Sequence, residues 1–454
     1  MSLARFGAIL LAPALAAIAV SSLEGSLPKR KVPSPLLVTG ATLIDGTGAP
    51  PVADSWVLIQ DGRFSEISTV QRRRGMMTLA RNVKVVDGSG KWILPGFVDA
   101  HVHLDSRSDG KRMIRWGVTA ARWMSEDVER SRKGALASRK SLQSPDLFPA
   151  SPIFTAPGGW WSAEGPDRNL NRFPSSAAEA REAVRTARRL GSSEIKIMDD
   201  DMGWCRDPLP RLPQIRPEVF AALIREARQL GLRVAVHAPR LTDARDAVRA
   251  GATVLAHGIL DEPLDADTAR AMTTAGIFYV PTLDIYDFLA DPRGFMDRAL
   301  ADARIRESLS KATLKLYRSD AYFATYRERY PNSGFVSTHL KTAYDNVARA
   351  RAAGVQIALG TDMWAFPGAG VHLELEDLVA AGFAPLEAIR AATLASARSL
   401  GIEGERGSIQ DGKRADFVLL ENDPLRDVRN SRSIERVYKG GRLAWSRYGR
   451  SDPQ

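Results

Sequence analysis

His101 and His103 close the apolar run Phe97-Val98-Asp99-Ala100, with one residue between them. In a strand, alternate side chains share a face, so both imidazoles point the same way at one strand end. Two neutral imidazoles converging there make half of a transition-metal site. The pattern alone is met equally well by ordinary surface or core histidines. The chain holds six histidines, and His237 and His257 recur in the same setting, after Val234-Ala235-Val236 and Val254-Leu255-Ala256. Asp362 follows Ala358-Leu359-Gly360-Thr361 in the same way. Lys196 lies inside the apolar stretch Glu194-Ile195-Lys196-Ile197-Met198, a costly place for an ammonium. A neutral, desolvated amine can take up carbon dioxide and become a carbamate, an anionic oxygen ligand able to bridge two divalent ions. The ordinary alternative is a snorkelling or salt-bridged lysine. Cys205 is the single cysteine, which excludes an intrachain disulfide and a thiolate-rich metal site.

The elements that must carry these residues follow from hydrophobic periodicity. Eight short apolar strands are expected, at Phe97–His103, Val118–Trp123, Ile153–Ala156, Glu194–Met198, Val234–His237, Thr253–His257, Phe278–Leu283 and Gln356–Thr361. Amphipathic helical segments separate them, and Gly191, Gly231 and Gly251 stand where C-caps belong. Eight such units read as an α/β fold, a (β/α)8 TIM barrel over residues 92–401, whose active site lies at the C-terminal strand ends. Residues 34–91 and 402–450 instead alternate apolar and polar residues between Asp-Gly turns, which predicts a small β-sandwich built from both chain ends. The connection 284–355 is long for a barrel loop, and reads either as a lid over the site or as helical surface decoration.

Composition sets outer bounds. A chain that is 44% hydrophobic and 26% charged is ordinary globular material, which excludes wholesale disorder. The net charge of +10 is scattered and not interleaved with aromatics, so no nucleic-acid partner is expected. Residues 1–22 read as a signal peptide: Arg5, an apolar run from Phe6 to Val20, then Ala17-Ile18-Ala19 as a small-residue cleavage pattern. The expectation is a secreted or periplasmic protein with no stable membrane span after signal removal. An uncleaved N-terminal anchor is the alternative. A homo-oligomer is left open.

Taken together the chain resembles the amidohydrolase superfamily, in its prolidase-like and imidazolonepropionase-like branch. The resemblance rests on Leu94-Pro95-Gly96-Phe97-Val98-Asp99-Ala100-His101-Val102-His103, Glu194-Ile195-Lys196-Ile197, Val236-His237-Ala238, Ala256-His257-Gly258, Gly360-Thr361-Asp362 and the returning tail Gly412-Lys413-Arg414-Ala415-Asp416. It implies a binuclear centre of two divalent metal ions, zinc being the ordinary choice. His101, His103 and Asp362 would hold one ion, His237 and His257 the other. Carboxylated Lys196 and a hydroxide would lie between them. Asp362 would serve as catalytic acid and base. The implied reaction is hydrolysis of a small-molecule amide: a dipeptide, an N-acyl amino acid or a related compound. Cyclic amides, lactones and esters are the alternative substrates, and a non-catalytic scaffold is the contrasting class. The chain departs from its relatives at Pro239-Arg240, where many carry His-Gly, at Ala256 in place of Glu, and at Gly158-Gly159-Trp160-Trp161. Arg240 is therefore a candidate for a substrate carboxylate or for a surface salt bridge. Trp160 and Trp161 are candidates for an apolar wall or for loop packing. Tyr286 is a further candidate at the mouth.

Overall fold

The computed structural model describes residues 34–68, 83–104, 106–124, 128–160, 162, 170 and 172–449. The expected signal at 1–22 and Trp161 lie outside them.

Alternating apolar residues near both chain ends need a common face to bury. They form strands β1 (Leu36–Leu43), β2 (Val52–Gln60), β3 (Arg63–Ser68), β4 (Lys84–Asp87) and β5 (Trp92–Pro95), with β14 (Phe417–Leu420), β15 (Ile434–Lys439) and β16 (Arg442–Ser446). These join in one sheet in the order β16-β15-β14-β5-β1-β2-β3, with β4 beside β1. Leu36 and Val38, Val57 and Ile59, and Phe417 and Leu419 alternate along their strands and pack in one core with Ile93 and Tyr438. The strands expected from both chain ends thus join in one hydrogen-bonded sheet. The reason lies in β5, which pairs with β1 on one side and antiparallel with β14 on the other, so the two chain ends zip edge to edge.

The middle of the chain is α/β with parallel sheets. One contains β6 (Phe97–Val102), β7 (Val118–Trp123) and β8 (Asp146–Pro149). The other contains β9 (Glu194–Met198), β10 (Arg233–His237), β11 (Val254–Ala256), β12 (Phe278–Val280) and β13 (Gln356–Ile357) in sequence order. Every residue of β6, β7 and β9 is buried, as parallel strands covered on both faces require. Helix Ala177–Arg189 buries Ala180, Ala183, Val184 and Ala187, one stripe at helical spacing. Isolated parallel bridges join Ala150 to Glu194 and Phe154 to Ile197. On the other side Ala100 N donates to Leu359 O (2.9 Å) and Asp362 N to His101 O (2.8 Å).

Three strand positions differ from expectation. The third strand is Asp146–Pro149, and the expected Ile153–Ala156 enters only through the bridge at Phe154. A charged residue at its head hides this strand from an apolar pattern. The seventh ends at Val280, since Pro281 has no N–H for a ladder and Thr282 turns to φ +49°. The eighth is regular only over Gln356–Ile357.

Residues 284–355 fold as successive helices: Leu283–Ala290, Pro292–Ala301, Ala303–Ser308, Lys311–Tyr317, Asp320–Arg329 and Ser333–Ala352. Their punctuation is chemical. Asp291, Asp302, Ser310 and Ser319 each cap the following helix by accepting a backbone N–H, from Gly294, Arg304, Thr313 and Tyr322.

The buried carboxylate of Asp146 ties β8 to the terminal sheet. It pairs with Arg406, with Arg414 Nη1 (2.7 Å) and with Lys439 Nζ (2.6 Å), while Asp416 takes the second faces of both arginines at 3.0 Å. Burial alone would raise the Asp146 pKa, but Arg406, Lys439 and Arg414 hold it below its ordinary value. Its contribution to stability is therefore present above the unfolded carboxyl pKa and is lost as pH falls through the folded one. Asp146→Asn leaves buried cations uncompensated and should cost about 3–5 kcal/mol, read as a lowered urea midpoint at neutral pH. An unchanged midpoint would refute this role.

Candidate functional site

Two segments far apart in sequence meet at the end of β6. Asp99 carries the junction: its carboxylate accepts from His101 N (3.1 Å), Thr361 N (3.1 Å) and Thr361 Oγ1 (2.9 Å). Gly360 permits the approach, since a Cβ there would stand 2.8 Å from His101 N and 2.6 Å from Val280 Cγ1. Asp362 then adopts φ +51° and turns its carboxylate onto both histidines. Asp362 Oδ1 lies 3.3 Å from His103 Nε2 and 3.6 Å from His101 Nε2. The ligand atoms of His101, His103 and Asp362 lie within 4.8 Å of one another, close enough to share an ion.

The second pair lies alongside. His257 is 5.0 Å from His101 and 4.3 Å from His237 between ring centroids. Each has one ring nitrogen engaged from behind. His237 Nε2 meets Asp200 Oδ2 at 3.1 Å, and Trp204 Nε1 donates to the same oxygen at 2.8 Å. His257 Nδ1 meets Thr282 Oγ1 at 2.9 Å. Such partners orient a ligating imidazole and leave its other nitrogen for a metal. His257 (φ +74°) and Thr282 (φ +49°) share with Asp362 the left-handed backbone that non-glycine residues adopt only where the surroundings enforce it.

Lys196 occupies the middle of β9. Its side chain is buried and its Nζ has no hydrogen-bond partner. Burial lowers its pKa to about 8 against the pull of Asp362 and Glu194. Asp362 is raised to about 7, again by burial, with Lys196 opposing. Burial brings His103 down to about 4 and takes His101 and His257 well below the usual imidazole range. His237 is lowered too, although Asp200 pulls the other way. All four imidazoles are therefore neutral at pH 7, the form that ligates. Four imidazole nitrogens, a carboxylate and an orphaned amine in one place fit divalent ions, with the amine as the odd member unless it becomes an oxygen donor.

A cavity of about 280 Å³ opens over these groups. It is lined by His101, His103, Lys196, His237, His257 and Asp362, so the six expected ligands share one space. Trp160 and Tyr286 line it as well. The Tyr286 hydroxyl donates to Gly258 O (2.7 Å), so this side chain offers its ring and not its polar end. Arg240 does not line the cavity. Standing at the start of helix Leu241–Ala250, it is gripped by Asp243 at 3.0 and 3.1 Å and by Asp201 at 3.4 Å. Those acids satisfy the guanidinium, which is the salt-bridge alternative. Asp99, Asp200 and Thr282 were not singled out from sequence. Asp200 announces itself only as the middle of Asp199-Asp200-Asp201 after β9, and Thr282 as a polar residue after Pro281. From the 284–355 insertion, Leu289, Tyr326, Arg329 and Tyr330 reach the cavity. That segment is therefore part of the pocket wall and more than surface decoration.

Residues 92–444 match the model of the amidohydrolase family. The chain is 30% identical to ochratoxinase of Aspergillus niger over 290 residues, covering 63% of this chain and 52% of that protein, about half its length. It is 26% identical to imidazolonepropionase of Ralstonia nicotianae over 439 residues, covering 86% and 92% of the two chains. Among solved structures, a Xaa-Pro dipeptidase with bound methionine superposes with a TM-score of 0.70 at 22% identity, over 91% of this chain and 100% of that one. The crystal structure of A. niger ochratoxinase gives 0.70 at 21% identity, over 90% and 95%. The family match spans both parallel sheets, every residue of the candidate ligand set and strands β14 and β15 of the returning tail. The chain belongs to the amidohydrolase family.

Proposed function

We propose that this protein hydrolyses the amide bond of a small molecule at a binuclear metal centre. The observation that carries this reading is Lys196, a buried amine without a partner that faces four neutral imidazoles and a carboxylate. Family membership supports an amide as the target. The fold shared with the dipeptidase is compatible with it. In the same reading the two parallel sheets are arcs of one closed eight-stranded barrel, and the bridges at Ala150, Phe154, Ala100 and Asp362 are its seams.

His101, His103 and Asp362 would hold one ion and His237 and His257 the other, with the carbamate of Lys196 between them. When bound, two divalent ions lower the pKa of water and polarise a carbonyl. The protein's own groups do the rest. Asp362 accepts a proton from the attacking water and returns it to the leaving nitrogen. The water oxygen bonds to the carbonyl carbon, the C–N bond breaks, and the products are a carboxylic acid and an amine. Thr282 and Asp200 keep the histidines aimed, and the aromatic walls exclude bulk water, which strengthens every electrostatic interaction inside.

Elemental analysis of the purified protein should find about two divalent ions per chain, and a value near zero would sink the binuclear reading. Lys196→Ala should lose ions and turnover together; full turnover in this variant would refute the carbamate. Asp362→Asn should lower kcat by at least about 10²-fold on any amide the protein cleaves, and survival of activity would remove its acid–base role. Thr282→Val keeps the shape of residue 282 but frees His257 Nδ1. Its ions should be stripped by a competing chelator at about 10- to 100-fold lower chelator concentration than from wild type. An identical stripping curve would show that Thr282 does not aim the ligand.

A further inference from the structure

Behind Thr282 two helices meet through acids. Helix Leu283–Ala290 carries Asp284 and Asp287, and helix Gly370–Ala380 carries Glu374 and Asp377, each pair at a spacing that shares a face. Asp284 N donates to Glu374 Oε2 at 3.0 Å, and the two carboxyls lie within hydrogen-bonding reach of each other. Tyr344, from helix Ser333–Ala352, spans the other pair: its hydroxyl lies 3.1 Å from Asp287 Oδ2 and 2.9 Å from Asp377 Oδ1. None of these acids lines the cavity.

The donors do not suffice for four carboxylates. Asp284 and Glu374 are wholly buried, and neither Asp284 oxygen nor Glu374 Oε1 has a hydrogen-bond partner among the described residues. Tyr344 has one hydroxyl proton for two carboxylate oxygens. An ionised carboxylate buried without donors is strongly disfavoured. The surrounding charges do not supply the deficit. Arg298 favours the ionised form of Asp287, but Asp99 and Glu376 add negative charge beside Asp284 and Asp377. Among the described residues, the one group of three ligands whose atoms lie within 4.8 Å of one another is His101, His103 and Asp362, so these acids are not gathered about a cation. The missing donor is then a proton on the pair itself.

We propose that Asp284 and Glu374 are bridged by a shared proton and act as positioning residues for His257. The proton holds the two helices in contact, the contact fixes Thr282 at the head of its helix, and Thr282 Oγ1 meets His257 Nδ1 at 2.9 Å. Burial and the charge of Glu374 raise Asp284 well above the ordinary carboxyl range, and burial takes Glu374 to about 8. Both folded values lie above the unfolded ones. The stability contributed by the pair is therefore fully present below the ordinary carboxyl pKa and is lost as pH rises through the folded values. Beyond them, two adjacent buried anions push the helices apart and Thr282 with them. The sign is diagnostic, because histidine ligands ordinarily hold a divalent ion more tightly as pH rises and protons stop competing. The shared proton is a property of the fold, and only its effect on the ion rests on the metal-site reading.

Glu374→Gln is the test, since an amide donates to Asp284 at every pH. In urea titrations of the full-length protein, the folding constant of wild type should fall relative to this variant by up to about tenfold per pH unit between about pH 6 and about pH 8. With ions bound, the two proteins should resist a competing chelator equally at about pH 6, whereas at about pH 9 wild type should release its ions at about tenfold lower chelator concentration. Asp284→Asn should remove the same alkaline loss. Parallel curves for wild type and variants over the whole range would overturn the proposal. Should neither variant fold, the infrared carbonyl stretch of protonated carboxyls in wild type should persist at about pH 8, and its absence there would overturn the shared proton. If the protein holds no ions, the metal-site reading fails and the urea comparison still decides the proton.

Discussion

The clasp of Asp99 on Thr361 and His101 governs the rest of the structure. It joins the first parallel strand to the segment following the last one, across a sequence separation of more than 250 residues. Without it, nothing would place Asp362 on the two histidines. The clasp works because Asp99 is buried and still accepts three hydrogen bonds, two from backbone N–H groups. Burial nevertheless outweighs those bonds and raises its pKa to about 7. The junction is thus a buried carboxyl whose pKa burial raises, held in place by its three donors. Gly360 is the steric counterpart of the clasp, because the two backbones touch where any side chain would intrude.

The same theme of ionisable groups held near neutrality extends outward. Behind Thr282, Glu374 accepts the N–H of Asp284 at 3.0 Å, and both carboxyls are wholly buried. Burial and mutual repulsion push Asp284 well above its ordinary pKa, and burial takes Glu374 to about 8. A pair so placed is at least partly protonated at neutral pH and cannot repel itself apart. What it secures is the start of helix Leu283–Ala290, directly after Thr282, and through Thr282 the orientation of His257. A charged counterexample is Asp146, where three cations surround one carboxylate. That cluster lies at the seam with the terminal sheet, away from the cavity, where charge pairing costs the chemistry nothing.

The residues that meet in the cavity were legible because strand ends are simple. His101, His103, His237, His257 and Asp362 each follow a short apolar run, and a lysine inside such a run is conspicuous. The α/β class with parallel strands was legible for the same reason. What could not be read was whatever depends on contacts across the chain. Asp146 begins a strand that looks polar because its partners, Arg406, Arg414 and Lys439, arrive some 260 to 300 residues later. In the terminal segments alternation fixes which face is buried and not which edge pairs, so the pairing of β5 with β14 could not be read. Asp200 and Thr282 carry no local signature, since their meaning comes from the imidazoles they touch.

Arg240 and Arg329 show why the cavity wall is harder still to read. Both are arginines at helix ends, one just past His237 and the other about 90 residues further on. Proximity in sequence favours Arg240. Yet an arginine at a helix start with an acid three residues on tends to satisfy itself, and Asp243 does so here with two hydrogen bonds. Arg329 instead ends its helix, where backbone carbonyls favour a cation and the long side chain extends over its neighbours. The neighbours that receive it, Trp160 and Tyr330, come from the loop before β9 and from the insertion. The cavity is therefore walled by the loop before β9 and by the insertion, while the candidate ligand residues beneath stand at the ends of the sheet strands. A fold arranged in this way can change its substrate by rebuilding the insertion and leave the Asp99 clasp, and the reaction it supports, untouched.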